Sequence, residues 1–190
     1  MPYVVAVVGG FAFGAADQYL GSRIAFGAWA ATVSQMSAPW LVLPFIAGMT
    51  QERARRAMAV GLLVTAGALI GYFVTTCSPI EAVPMVRFSS CVPNVAFTGY
   101  NPLWIAGGML FGPLYGLLGH RWRVARSWIG PALVAGTLCL EPLARVVAGL
   151  LSPPTVVWRA EIVLGFVVAI VFGFMIAMSR RARGALPRAG

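Results

Sequence analysis

From Ala57 to Thr76 the chain runs for twenty residues without a charge. An α-helix of that length crosses the roughly 30 Å hydrocarbon core of a bilayer. Five further apolar blocks lie at about Tyr3–Tyr19, Ile24–Met49, Pro102–Gly119, Trp128–Leu151 and Val156–Met178. In lipid every backbone N–H and C=O must find its partner inside the protein, so such a succession of blocks builds a helical bundle. Composition agrees: 59% hydrophobic and 10% charged residues leave too little polar surface to coat a soluble domain of 190 residues. The expectation is an all-α polytopic membrane bundle of about six transmembrane helices, one domain over residues 1–178, with a basic tail at 179–190.

The second block is the irregular one. Thr32, Ser34, Gln35 and Ser37 interrupt it, and it carries Pro39 and Pro44. This reads as a short interfacial or re-entrant piece near 24–34 followed by a short span near 37–49, its loosened backbone shielded by neighbouring helices. The first block lacks a basic lead-in and a cleavage site, so no cleavable signal peptide is expected.

All of the net charge of +9 comes from arginine, since the chain has no lysine. Arg53, Arg55 and Arg56 follow the second block, Arg121, Arg123 and Arg126 follow the fourth, and Arg180, Arg181, Arg183 and Arg188 lie in the tail. Under the positive-inside rule these ten are cytoplasmic, leaving Arg23 and Arg87 in the opposite links. Six crossings then put both termini in the cytoplasm of a cell-membrane protein. Short basic links between apolar blocks are a poor fit to a nucleic-acid surface, so no nucleic-acid partner is expected; the bilayer is the first partner.

Cys77 and Cys91 share the long link between the third and fourth blocks, on the side where disulfides persist. They are either bridged or two unpaired thiols, a choice that spacing alone does not make. Cys139 falls inside the fifth block as a small packing residue. With one histidine and no ligand spacing, neither a metal site nor another cofactor is implied.

Small residues recur every fourth position at Ala6, Gly10 and Gly14, at Gly67 and Gly71, and at Gly108, Gly112 and Gly116. Such stripes let helix backbones approach closely in lipid, either within the chain or, for Ala6/Gly10/Gly14, against another membrane subunit. A weaker echo relates Gly9–Gly21 to Gly107–Gly119 at an offset of 98, as an inverted 3+3 repeat would.

Charges inside the apolar blocks are costly, about 2.5–3.5 kcal/mol each at mid-membrane on insertion scales. Asp17 with Gln18, Glu141 with Arg145, and Arg159 with Glu161 all fall toward the outer half. Glu141 and Arg145 sit four apart, acid first, the favoured order on one helix face. Pro142 beside them has no amide hydrogen and releases the carbonyl of Leu138. Asp17, Gln18, Glu141, Arg145 and Glu161 are therefore either an outward-facing ligand pocket or a structural ion-pair cluster. At the other face, His120, Arg121, Trp122 and Arg123 read as a lipid-interface anchor, with Trp122 at headgroup depth.

The stretches Ser37-Ala38-Pro39-Trp40, Gly112 to His120, and an acid in the following helix at Glu141 resemble a domain family of unassigned function, small six-helix membrane proteins of high-GC Gram-positive bacteria. The resemblance covers about residues 37–145 and implies the membrane class and an interest in Glu141 and His120. In size and helix plan the chain is also similar to the substrate-binding membrane subunits of vitamin importers. The leading expectation is a transport-related membrane subunit that binds an unknown small molecule in an outward-facing polar pocket and docks another membrane protein. The alternative is a non-catalytic accessory or scaffold subunit of a larger membrane complex. No motif of an intramembrane enzyme occurs.

Overall fold

The computed structural model describes residues 1–78, 88–147 and 155–184; Arg87 and Arg188 lie outside them. The described residues form eight α-helices: α1 Pro2–Ser22, α2 Ala28–Ser34, α3 Ala38–Met49, α4 Ala54–Thr76, α5 Phe88–Ala96, α6 Asn101–Ala125, α7 Ile129–Val147 and α8 Thr155–Gly184, with a 3-10 turn at Ile24–Phe26. Five of them are long and apolar enough to cross a membrane, and α2 with α3, bent by 51° at their junction, make up to a sixth crossing. The chain is thus built as a multi-pass integral membrane protein.

Glycine lets these helices touch. α1 lies along α4, with Gly10 and Gly14 against the carbonyls of Val64 and Ala68, where an added Cβ would collide. Gly67 and Gly71 return the contact from α4 onto Val7 and Phe11, so the two helices run parallel. The Ala6/Gly10/Gly14 stripe is therefore used inside the chain and is not available to another subunit. On its other side α4 meets α6 antiparallel, through Gly61 against Gly112 and Ala57 against Gly116. α3 fits into the α4–α6 groove, and α7 packs on α8.

The core gathers where α3, α6, α7 and α8 converge: Phe45, Tyr115, Leu118, Trp122, Val134 and Leu138, with Phe172 closing over Trp122 at 4.6 Å between ring centroids. This corrects the expectation for Trp122. It is fully buried in the bundle rather than facing lipid, because its position on α6 turns it toward α3, α7 and α8. His120 and Arg123 are equally engaged within the chain: His120 Nδ1 is 3.0 Å from the Gln51 carbonyl, and Arg123 donates to the Thr50 carbonyl at 2.7 Å. Arg121 is exposed. The basic links after α3 and after α6 thus meet at one end of the bundle.

Between α4 and α6 the sequence suggests a plain link, yet α5 forms there. It folds because Cys91 on α5 is disulfide-bonded to Cys77 at the end of α4, with Cα atoms 5.8 Å apart, and because Val92, Val95 and Ala96 pack on Leu69 and Phe73. The offset of 98 carries the starts of α1, α2–α3 and α4 to within about three residues of those of α6, α7 and α8, while α6 and α8 run on past the shifted ends of α1 and α4. Packing does not follow it: α1 lies along α4, whereas α8 packs chiefly on α7.

Candidate functional site

The junction between α2 and α3 is a break in a helix, and two buried or half-buried charges of α7 are brought to it. A helix start leaves amide hydrogens without intrahelical acceptors, and a helix end leaves carbonyls without donors. Ser37 caps α3, but its hydroxyl makes no cap hydrogen bond, and Pro39 has no amide to offer. Glu141, from α7, supplies the acceptors. Its Oε1 accepts from the Ser37 amide at 2.7 Å and its Oε2 from the Ala38 amide at 2.9 Å.

Arg145, one turn further along α7, serves the other side of the break. It donates to the carbonyl of Gln35 at the end of α2 and reaches the Ser37 hydroxyl at 3.4 Å, while its Nε and Nη2 hold Glu141 Oε1 at 3.0 and 2.6 Å. An anion at the positive end of α3 and a cation at the negative end of α2 complement both helix dipoles. The pair is a staple across a broken helix, and Glu141 has no oxygen left over.

Glu161 reaches this staple from α8. It is fully buried beside Glu141, its one side-chain hydrogen-bond neighbour, a contact between two carboxyls that needs a proton on one of them; no other partner to its oxygens occurs among the described residues. The Arg145 guanidinium also lies 5.6 Å from the Trp158 ring centroid, one turn before Glu161. Arg159 is exposed, so the cluster expected from five outer charges divides.

Asp17 belongs to a second feature. A cavity of about 760 Å³ opens beside the break, bounded by Ser34 to Leu41, by Thr65, Leu69, Tyr72 and Phe73 of α4, and by the first half of α6. Asp17 lines it from α1 and Arg145 from α7; Glu141, Gln18 and Glu161 do not. This corrects the expected pocket. Its walls are largely apolar and aromatic, and of the five candidates only Asp17 and Arg145 face it. Leu103, Trp104 and Leu110 of α6 line the cavity and are also largely exposed, so it is open on that side rather than sealed.

Asp17 is buried and hydrogen-bonds the Trp40 indole, whose ring also stands edge-on to Phe13 at 5.4 Å and to Tyr72 at 6.1 Å. Its second oxygen, Oδ2, has no partner among the described residues. Trp40, Tyr72 and Trp104 are cavity residues that the sequence alone does not single out. The available signal was the polar interruption from Thr32 to Ser37 followed by Pro39, which marks a break and hence a site where α-helical walls part. No family model, curated protein or solved structure matches this chain.

Proposed function

We propose that this protein is a transport-related membrane subunit that holds a small molecule in the cavity beside the α2–α3 break. The observation that carries this reading is the cavity itself: about 760 Å³ of mostly apolar space, with a buried carboxyl on its wall, falls within the range of small-molecule sites. Broken helices at membrane depth are also where transporters form their sites, since unwound backbone survives there only against protein or a cavity. Under the positive-inside rule the end holding Arg53, Arg55, Arg56, Arg121, Arg123 and Arg126 is cytoplasmic. Both termini are then inside the cell membrane, and the cavity and the Cys77–Cys91 bridge lie toward the outside. Membership of the high-GC Gram-positive family belongs to the same proposal.

The test is retention of a ligand. Native mass spectrometry of the protein in mild detergent is expected to find a bound small molecule that Gly107→Trp expels; Gly107 lines the cavity, and an added Cβ there meets nothing within 4 Å. A wild-type protein that carries no small molecule, and whose melting temperature no member of a metabolite panel raises, is an accessory subunit instead. Externally labelled cysteines introduced in the tail at 185–190 would overturn the orientation.

A further inference from the structure

The walls of the cavity say which chemistry it accepts. Two charged side chains border it, and they are not equivalent. Arg145 is already committed, to Glu141, to the Gln35 carbonyl and to Ser37. Its charge is balanced by Glu141 within the same staple. Asp17 has no such balance: a neutral indole meets it, Oδ2 is left without a partner, and no ion pair to it occurs among the described residues. A carboxylate at this depth carries its charge at low cost only when a cation sits beside it. Trp40, Tyr72 and Trp104 line the same cavity, and aromatic rings attract cations that have given up their water.

We propose, resting on the reading of the cavity as a ligand site, that it selects a lipophilic cation. This is an amine or quaternary ammonium whose charge lies beside Asp17 and whose hydrocarbon body lies against Trp40, Tyr72 and Trp104. An anion of the same shape meets the uncompensated carboxylate and finds Arg145 occupied. A neutral apolar molecule fills the walls but leaves Asp17 without a counterion. The open side at Leu103 and Leu110 lets such a molecule enter.

Tetraphenylphosphonium and tetraphenylborate test this, being nearly identical in shape and opposite in charge. Calorimetric titration of the wild-type protein in a nonionic detergent, corrected for empty micelles, is expected to give at least about tenfold tighter binding of the phosphonium. Asp17→Asn is expected to remove that preference. If Asp17→Asn does not fold, the preference of the wild type still decides. Equal binding of the two ions, or preference for the borate, overturns the cation inference while leaving the cavity reading in place. Binding of neither ion, together with no ligand retained by the wild type, overturns both. Repeating the titration in phosphatidylcholine nanodiscs with and without phosphatidylethanolamine separates the sources: competition assigns the site to a lipid amine headgroup, and its absence to a free lipophilic amine. Either result supports the shared chemistry.

Discussion

Glu141 and Arg145, joined at 2.6 Å, hold opposite sides of one break in a helix: the carboxylate takes the first amides of α3, and the guanidinium takes the last carbonyl of α2. Hydrogen bonding in lipid explains why both charges are tolerated. The amides at the start of α3 would otherwise lack acceptors in a largely apolar surrounding, where an unsatisfied group costs several kcal/mol. The pair thus replaces a backbone deficit with charge-assisted bonds.

Breaking the staple from either side is expected to destabilise strongly. Glu141→Ala leaves two amides without acceptors and the Arg145 guanidinium without its counter-ion and should cost about 3–5 kcal/mol, whereas Glu141→Gln, which keeps one acceptor oxygen, should cost less. A double-mutant cycle with Arg145→Ala, followed by reversible unfolding in mixed micelles, should give a coupling of about 1–3 kcal/mol. Additive effects would mean that the two residues act independently of the break.

Glu161 has the opposite expectation. Its carboxyl is buried beside Glu141 with no other donor to either oxygen among the described residues, so Glu161→Gln replaces it with a neutral side chain that always has an amide donor to offer Glu141. The variant should be more stable than the wild type by about 1–2 kcal/mol. A lower melting temperature for Glu161→Gln would show that the acid is held by a partner it needs.

The glycines of α1 differ sharply from one another. An added Cβ at Gly14 collides with the Ala68 carbonyl, whereas at Gly9 it meets nothing within 4 Å. Gly14→Ala should therefore cost about 1–3 kcal/mol by prising α1 from α4, and Gly9→Ala should be neutral within about 0.5 kcal/mol. Melting temperatures of the two variants, measured side by side, make the comparison.

Trp122 and Arg121 separate core from interface. Trp122→Ala empties a fully buried site against Phe172 and should cost about 3–5 kcal/mol. Arg121→Ala, on the exposed face, should change stability by less than about 0.5 kcal/mol. Equal small effects on unfolding would mean that Trp122 faces lipid rather than the core.

The bridge between Cys77 and Cys91 leaves Cys139 as the single free thiol. Denatured, unreduced protein should take up one equivalent of maleimide, and three after reduction. The bridge closes a loop of 14 residues' separation, so Cys77→Ser with Cys91→Ser should lower stability by about 3 kcal/mol on the chain-entropy estimate.

Hydropathy and proline placement are local properties, and they determined the helical class, the apolar blocks and the break before Pro39, because apolar blocks near twenty residues long satisfy their backbone in lipid as helices. They also limited where charges stand along each helix. Which groups those charges meet is set by helix crossings between residues far apart in sequence, and it was decided only by the tertiary structure. Glu141 finds its acceptor role at amides 104 and 103 positions away; spacing within α7 revealed Arg145 but not the broken helix the two hold. Trp122 looked interfacial because charged neighbours flank it, yet its rotation about α6 turns it into the core. Asp17 and Glu141 lie at similar depth by residue count, and the structure divides them. One completes a staple, and the other is left with an open oxygen beside a cavity, because α1 approaches α3 through Trp40 while α7 approaches it through the break.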